Sequence, residues 1–251
     1  TVMYCFFIAT SLSLVSLTLA VKLPAYVKTC SRNDPKLSEC ALRHGREIIP
    51  KIIPGDPNIR LPRLEPLLLE RVEIHPSGNG GSINMKLVCY KCQVAGLSRA
   101  KLLDIKLDLN KKHIDIRLSI PRLMVTGKYD VSGKVLVFPI TGKGISNITL
   151  TDLDVNAGLD WKLVKRKRHE FSQFIRHKVT FTASGLKINL SNLFNGDKLL
   201  SDNMNMILNA NWREVLNDLK PSISDTVGQI IRITLNQIFD IIPYSQFFPD
   251  T

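Results

Sequence analysis

The stretch that decides the fold is NMNMILNANWREVLNDLKPSISDTVGQIIRITLNQIFDII, residues 203–242. Its large apolar residues recur every three or four positions, which is the period of an α-helix with one apolar stripe. Such a helix would be about 60 Å long at about 1.5 Å per residue. We expect Pro221 to bend this helix rather than end it, because the stripe resumes in phase beyond the proline. The stripe comprises Met204, Ile207, Leu208, Trp212, Val215, Leu216, Leu219, Ile223, Val227, Ile230, Ile231, Leu235, Ile238, Phe239 and Ile242.

Residues 67–190, which precede the stripe, follow a period of two. Apolar and polar residues alternate over residues 114–120 and 153–161, which predicts long antiparallel strands with one apolar face. Residues 135–140 are all apolar, so we expect that strand to be covered on both faces. A helix this long needs a long partner surface, which the strands can supply. We therefore predict an α+β fold, in which a strongly curved antiparallel sheet wraps a long C-terminal helix within one domain, residues 21–251.

The first twenty residues are mainly apolar and contain no Lys, Arg, Asp or Glu. Small residues at Thr18 and Ala20 suit a signal peptidase, and we predict a secretory signal peptide at residues 1–20. A membrane anchor is the alternative, but the run is short for a spanning helix of about 20 residues and is interrupted by Ser and Thr. We expect the mature protein to be soluble and secreted.

Two cysteines surround a turn signal near the start of the mature chain. Cys30 and Cys40 flank the sequence RNDP at residues 32–35 and precede an amphipathic helical pattern. A disulfide between them suits an oxidising compartment. Closing this loop would stabilise the fold by about 3 kcal/mol on the chain-entropy estimate.

Cys89 and Cys92 have the spacing of a redox motif but lie in a strand-like alternation. In a straight strand their Cα atoms would be about 10 Å apart, beyond the limit of about 7 Å for a disulfide. We therefore favour buried free thiols, or a bridge across a turn or bulge, over redox catalysis.

Basic residues exceed acidic ones, with 34 Lys and Arg against 22 Asp and Glu and a net charge of +12. The excess peaks at residues 162–169, which include Lys165, Arg166, Lys167 and Arg168. This basic cluster is interpreted either as a site that attracts an anionic surface or a receptor, or as a solvated hairpin loop. The cluster lacks the interleaved aromatic residues of single-strand binders, so we do not expect nucleic-acid binding.

Residue patterns for catalysis are missing. The five histidines are scattered, and the sequence contains no H-E-x-x-H or G-x-S-x-G motif. We predict that the protein is not an enzyme and holds no metal or cofactor.

Two N-glycosylation acceptor patterns begin at Asn147 and Asn189. Both lie in predicted strands, so their use depends on the face to which each side chain points.

Several blocks of the sequence resemble the takeout and haemolymph juvenile-hormone-binding proteins of insects. One such block would be weak support, whereas this many in the same order are specific. The blocks are RNDP between Cys30 and Cys40, LPRLEPL at 61–67, GKY at 127–129 with Gly133, PITGKG at 139–144, NLFNGD at 192–197, LNANW at 208–212 and IPYSQFFP at 242–249.

The resemblance implies the fold of tubular lipid-binding (TULIP-like) proteins and a function as an extracellular carrier in haemolymph or a similar fluid. Such a carrier would be a monomer that encloses an elongated hydrophobic molecule, such as juvenile hormone, another isoprenoid or a fatty-acyl lipid, without inserting stably into membranes. Tyr129 is a candidate polar anchor for the ligand; its alternative role is that of a surface turn residue. The candidate tunnel residues, each of which is alternatively a core residue, are Leu118, Ile120, Val125, Tyr129, Val137, Phe138, Ile140, Leu159, Trp161, Phe181, Phe194, Leu208, Trp212, Val227, Ile231 and Phe239.

The chain also departs from this family. Hormone-binding members have a second disulfide near the long helix, but no cysteine follows Cys92 here. This favours the takeout branch. Two alternatives stay open: a lipid-transfer or anionic-envelope-binding protein that uses the basic cluster at a membrane surface, and an esterase acting on hydrophobic esters.

Overall fold

Helices and antiparallel strands follow one another as the two sequence periods predict. The computed structural model describes residues 21–75 and 82–250, so the predicted signal peptide at residues 1–20 lies outside the described residues. None of the helices within these two ranges is long and apolar enough to cross a membrane. The helices are α1 (Leu37–Ile52), α2 (Lys198–Ala210), α3 (Trp212–Phe239) and α4 (Tyr244–Phe247), and the strands are β1 (Leu67–Ile74), β2 (Ile83–Ala95), β3 (Lys101–Asp108), β4 (His113–Val135), β5 (Phe138–Arg166), β6 (His169–Thr182) and β7 (Gly185–Leu190).

The strands form one antiparallel sheet in the order β1-β2-β4-β5-β6, with β3 paired to β4 and β7 paired to β5. β4 and β5 have 23 and 29 residues and pair along their shared length in one continuous register. Pro121 and Asp152 lie opposite each other between the pairs Ile120–Leu153 and Arg122–Thr151. Asp152 has a positive φ of 48°, and here the inward-facing positions change from even to odd numbers along β4. The predicted curved sheet with a long C-terminal helix is confirmed.

The helical stripe is divided at Asn211 and not at Pro221. Asn211 has φ −105° and ψ 26°, which is not helical, and it separates α2 from α3. Its side-chain Nδ2 donates to Ile207 O at 2.8 Å and so satisfies a carbonyl of the last turn of α2. Pro221 lies within α3 on an exposed face. The prediction of one helix interrupted only by Pro221 was therefore wrong.

Polar side chains on both flanks of α3 fix it to the two edges of the sheet. On one flank, the Asp218 carboxylate accepts a hydrogen bond from Ile83 N, at the start of β2, at 3.0 Å. On the other flank, the Asn236 side chain accepts from Phe174 N at 2.7 Å and donates to Phe174 O at 3.0 Å. The helix position is thus set by directional bonds as well as by apolar contact.

Hydrogen bonds from side-chain amides to backbone groups also join α2 to β7. Asn205 bonds to both backbone groups of Leu190, and Asn209 bonds to both backbone groups of Ile188, at 2.7–2.9 Å. Four helical residues advance about 6 Å and two strand residues about 6.6 Å, so the two periods match. These amides occupy the backbone groups of an edge strand that would otherwise be open to pairing with another chain.

A glycine allows close contact between α3 and β6. Gly228 is buried, and a Cβ atom there would lie 2.9 Å from His177 Cγ and 3.0 Å from His177 Nε2. His177 Nε2 lies 3.1 Å from Asp225 Oδ1 on the same helix, and this hydrogen bond lowers the pKa of Asp225. The imidazole is therefore held between strand and helix.

The apolar run at residues 135–140 is a hairpin and not a strand covered on both faces. Val135 ends β4 and is fully buried, whereas Leu136 and Val137 form the turn, with a φ of 55° at Leu136. Val137 is 81% exposed and Phe138 is 47% exposed. The prediction that Val137 and Phe138 line a tunnel is therefore wrong, because both residues lie at the exposed tip of a tight turn.

The described cysteines form two disulfides. The predicted Cys30–Cys40 bond is confirmed, with a Cα–Cα distance of 6.1 Å. Cys89 and Cys92 are also bonded, with their Cα atoms 6.0 Å apart. A bulge between Tyr90 and Gln93, with a φ of 49° at Lys91, shortens the distance that a straight strand would impose. Of the two alternatives, the bridge across a bulge is correct and free thiols are wrong.

Candidate ligand-binding interior

Two apolar clusters occupy opposite ends of the space between the sheet and α3. We call them the Tyr129 cluster and the Trp161 cluster, after one buried residue in each. A smaller third cluster, around Ile59, Leu61 and Ile242, lies near the chain ends. The Tyr129 cluster contains Ile83, Met85, Tyr129, Val131, Val135, Ile140, Ile188, Leu190, Leu193, Met204, Leu208, Val215 and Leu219, and the Trp161 cluster contains Leu159, Trp161 and Phe174, with Leu107, Leu109, Ile114, Leu163, Ile231, Leu235 and Phe239 packed against them.

Between these two clusters lies a middle segment in which several inward apolar side chains keep accessible surface, although Ile120 and Phe181 there are buried. Leu118 and Val125 on β4, Val155 on β5 and Val227 on α3 are all only half-buried. Within α3, Val215, Leu216 and Leu219 are buried, but beyond Leu219 the only buried residue is Gly228. The apolar stripe is therefore buried at its start and keeps accessible surface further along.

The path of α3 accounts for this difference in burial. Its Cα atoms come within 8 Å of those of edge strand β6 repeatedly, and of those of β1, β2 and β7 at several positions. For the central strands β4 and β5 such approaches are isolated at most. The helix bridges the sheet edges, so its apolar stripe faces the two longest strands across the middle segment.

Trp161 lies at one end of the middle segment and is 5% exposed. Its ring centroid is 5.9 Å from that of Phe174, which in turn lies 5.2 Å from Phe239 on α3. The indole Nε1 is buried and has no hydrogen-bond partner within residues 21–75 and 82–250. Apolar side chains with few polar groups among them are the lining that lipid-like ligands require.

Comparison with known proteins agrees with this geometry. The family model for haemolymph juvenile hormone binding protein (JHBP) matches residues 5–249. The chain belongs to this family. The circadian clock-controlled protein daywake of Drosophila melanogaster is 28% identical over 231 residues, which cover 90% of this chain and 88% of that protein. Its Drosophila yakuba counterpart is 27% identical over the same shares.

A solved structure shows the shared fold. The crystal structure of takeout 1 from Epiphyas postvittana matches with a TM-score of 0.75 and 24% sequence identity, over 89% of this chain and all of that one. The resemblance to the takeout and juvenile-hormone-binding proteins is thereby confirmed, and with it the TULIP-like fold.

The predicted tunnel residues lie in different parts of the structure: in the two clusters, in the middle segment and outside the interior. Trp212 is half-buried, and the Arg213 guanidinium lies 4.5 Å from the centre of its ring. Val137 and Phe138 lie outside the interior, as described above. Lining of a tunnel by the others stays a prediction. In the Tyr129 cluster or packed against it are Tyr129, Ile140, Phe194 and Leu208; in or against the Trp161 cluster are Leu159, Trp161, Ile231 and Phe239; and in the middle segment are Leu118, Ile120, Val125, Phe181 and Val227.

Tyr129 is 2% exposed and is not a surface turn residue. Its hydroxyl donates to Ser191 O at 2.7 Å. Burial, with a smaller contribution from Asp130, raises the pKa of Tyr129 to about 12. The hydroxyl hydrogen is therefore committed to the protein, although Tyr129 stays a candidate anchor through its oxygen.

A shallow groove of about 440 Å³ on the outer face of the sheet contains a histidine that the sequence did not single out. His113 Nδ1 lies 2.5 Å from Asp160 Oδ1, and its Nε2 lies 3.2 Å from Asp115 Oδ1. The hydrogen bond to Asp160 raises the pKa of His113 and lowers that of Asp160. Both ring nitrogens are occupied, so His113 is not poised as a general base for ester hydrolysis. Only the register of β4 and β5 brings these residues together, and no local motif signals it.

In the described part of the chain, one group of side chains has potential metal-ligand atoms close together, namely Cys30, Cys40 and His44. The two sulfur atoms form the disulfide described above and therefore offer no thiolate to a metal.

The basic cluster spans the tip of the β5–β6 hairpin, where residues 165–170 are exposed. Arg166 forms an ion pair with Asp240 and donates to Asp240 O at 3.1 Å. The Arg166 side chain therefore holds the hairpin against the end of α3. Attraction of an anionic surface or a receptor by its neighbours Lys165, Lys167 and Arg168 stays a prediction.

Asn147 and Asn189 are both exposed and lie directly opposite each other on β5 and β7. Both acceptor patterns therefore lie on the outer face of the sheet. Their glycosylation stays a prediction.

Proposed function

We propose that this JHBP-family protein is a secreted carrier that encloses one elongated hydrophobic small molecule between α3 and the central strands. The observation that supports this most directly is the middle segment, where Leu118, Val125, Val155 and Val227 face inward but keep accessible surface. A closed core of this size would bury such side chains, because protein interiors pack at the density of organic crystals.

The physical chemistry of the site favours a long apolar ligand. Each methylene group moved from water contributes about 0.8 kcal/mol, so a chain of a dozen carbons binds tightly without directional contacts. Isoprenoids, including juvenile hormone, and fatty-acyl lipids have this shape and polarity. The two disulfides suit an oxidising extracellular fluid such as haemolymph.

The first test identifies the ligand directly. Protein purified without denaturation from an insect-cell secretion is extracted with organic solvent, and the extract is analysed by mass spectrometry. We expect one lipid-like compound in about equimolar amount. Repeated absence of any such compound, together with failure to bind long-chain lipids in vitro, would refute the proposal.

The second test locates the site with neighbouring substitutions. Val155→Trp places a large ring in the middle segment, whereas Asn156→Trp, on the outer face of the same strand, is the matched control. The ring displaces roughly three methylene groups, which corresponds to about 2.4 kcal/mol, or roughly fiftyfold in affinity, for a chain that fills the site. We expect this loss for an 18-carbon probe and little loss for a 10-carbon probe. Equal losses for both probes, or equal effects of the two variants, would show that the ligand lies elsewhere.

A further inference from the structure

The indole N–H of Trp161 is a hydrogen-bond donor that the protein itself does not satisfy. Trp161 is 95% buried by side-chain and backbone contacts, and its Nε1 has no acceptor among the described residues. Buried indole N–H groups normally have a partner. The other side chains of the Trp161 cluster are all hydrocarbon and cannot accept a hydrogen bond.

We infer that Trp161 Nε1–H is the polar anchor of the bound molecule and donates to a neutral oxygen acceptor, such as an ester or ketone carbonyl, near one end of an apolar chain. This inference rests on the proposed function, because the oxygen belongs to the ligand that the proposed function places in the middle segment. Ile231, Leu235 and Phe239 of α3 pack against the Trp161 cluster and are only half-buried.

The surroundings favour a neutral acceptor over a carboxylate. An ionised carboxylate needs a cation or several donors when it leaves water. The indole of Trp161 offers a single N–H donor and no positive charge, which matches one neutral carbonyl oxygen better than a carboxylate. At the other end of the middle segment, the Tyr129 hydroxyl already donates to Ser191 O. The polar end of the ligand is therefore placed near Trp161.

The test compares two probes of equal chain length, methyl hexadecanoate and a linear alkane. Trp161→Phe keeps an aromatic ring but removes the N–H donor, and the alkane, which has no acceptor, is the internal control. We expect Trp161→Phe to weaken binding of the ester about tenfold and to leave binding of the alkane unchanged. An unchanged ester affinity, or equal losses for ester and alkane, would overturn the anchor while leaving the carrier function intact. Failure of the unmodified protein to bind either probe would instead refute the carrier function, and the anchor with it.

A spectroscopic readout separates a ligand acceptor from a trapped water. The protein has two tryptophans, so its ¹⁵N–¹H spectrum contains two indole signals, and Trp161→Phe identifies one of them. The ester should move the Trp161 signal downfield, whereas the alkane should not. Equal positions with the two probes would mean that water is the acceptor, and this result would contradict the inference.

Discussion

Replacing Gly228 by Ala tests whether His177 sets the distance between α3 and β6. In the interior of a helix, alanine is favoured over glycine by about 1 kcal/mol. Here the new methyl group would lie within 3.0 Å of the ring atoms Cγ, Cδ2 and Nε2 of His177. Overpacking of a well-packed contact typically costs about 1–3 kcal/mol. The two effects together predict a net loss of about 1 kcal/mol in the free energy of unfolding.

The sign should reverse when the imidazole is removed. In a His177→Ala background the methyl group meets no ring, so Gly228→Ala should increase the free energy of unfolding by about 1 kcal/mol through helix propensity alone. The difference between the two backgrounds is a coupling free energy of about 2 kcal/mol. This is well above the deviation from additivity that is typical of two sites far apart. Urea unfolding of the four proteins at one pH measures it.

Equal stabilisation of both backgrounds by Gly228→Ala would contradict this prediction. That result would mean that the imidazole moves aside at no cost, despite its hydrogen bond to Asp225. Glycine would then have no role in setting the helix position.

Three further predictions concern stability. Replacing Cys30 and Cys40 by alanine should lower the free energy of unfolding by about 3 kcal/mol, measured by urea unfolding of the oxidised proteins; a change below 1 kcal/mol would contradict the loop-closure estimate. Asn209→Ala leaves Ile188 N and O without their side-chain partner and should cost about 1–3 kcal/mol, whereas the exposed Asn203→Ala should be nearly neutral by the same measurement. The raised pKa of His113 contributes stability that is fully present below the ordinary pKa of about 6.5 and is lost as pH rises through the raised value. His113→Gln should therefore lower the free energy of unfolding more at pH 5.5 than at pH 9, by less than about 1 kcal/mol because the pair is partly exposed. An equal effect at both pH values would contradict the assigned ion pair.

Regular periodicity made most of the architecture predictable. Alternation over residues 114–120 and 153–161 corresponds to paired segments of β4 and β5, and the stripe beyond residue 203 corresponds to α2 and α3. Periodicity did not predict where the helix divides, because Asn211 breaks it by its backbone conformation while the apolar stripe continues past it. Residues 135–140 were misassigned for a related reason, since a two-residue hairpin turn with apolar side chains leaves the apolar run uninterrupted.

The candidate site was predictable only in part. Strand alternation placed Trp161 on the inner side and the apolar stripe did so for Val227, but the burial of such residues depends on how far α3 stands from β4 and β5. That distance depends on pairwise contacts between segments far apart in sequence, such as Asp218 with Ile83 and Asn236 with Phe174. A single sequence contains no periodic signal for such contacts.

Those same contacts explain how inward apolar side chains can keep accessible surface without loss of the helix position. A helix held only by its apolar stripe would settle onto the central strands, because each buried methylene group contributes about 0.8 kcal/mol. Here amide and carboxylate side chains fix both flanks of α3 to the edges of the sheet, and each such bond contributes about 1 kcal/mol and is directional. Bonds at the two edges hold the helix as a bridge, so the stripe between them is not required to complete the core. The apolar surface of the middle segment is thereby kept available for a ligand.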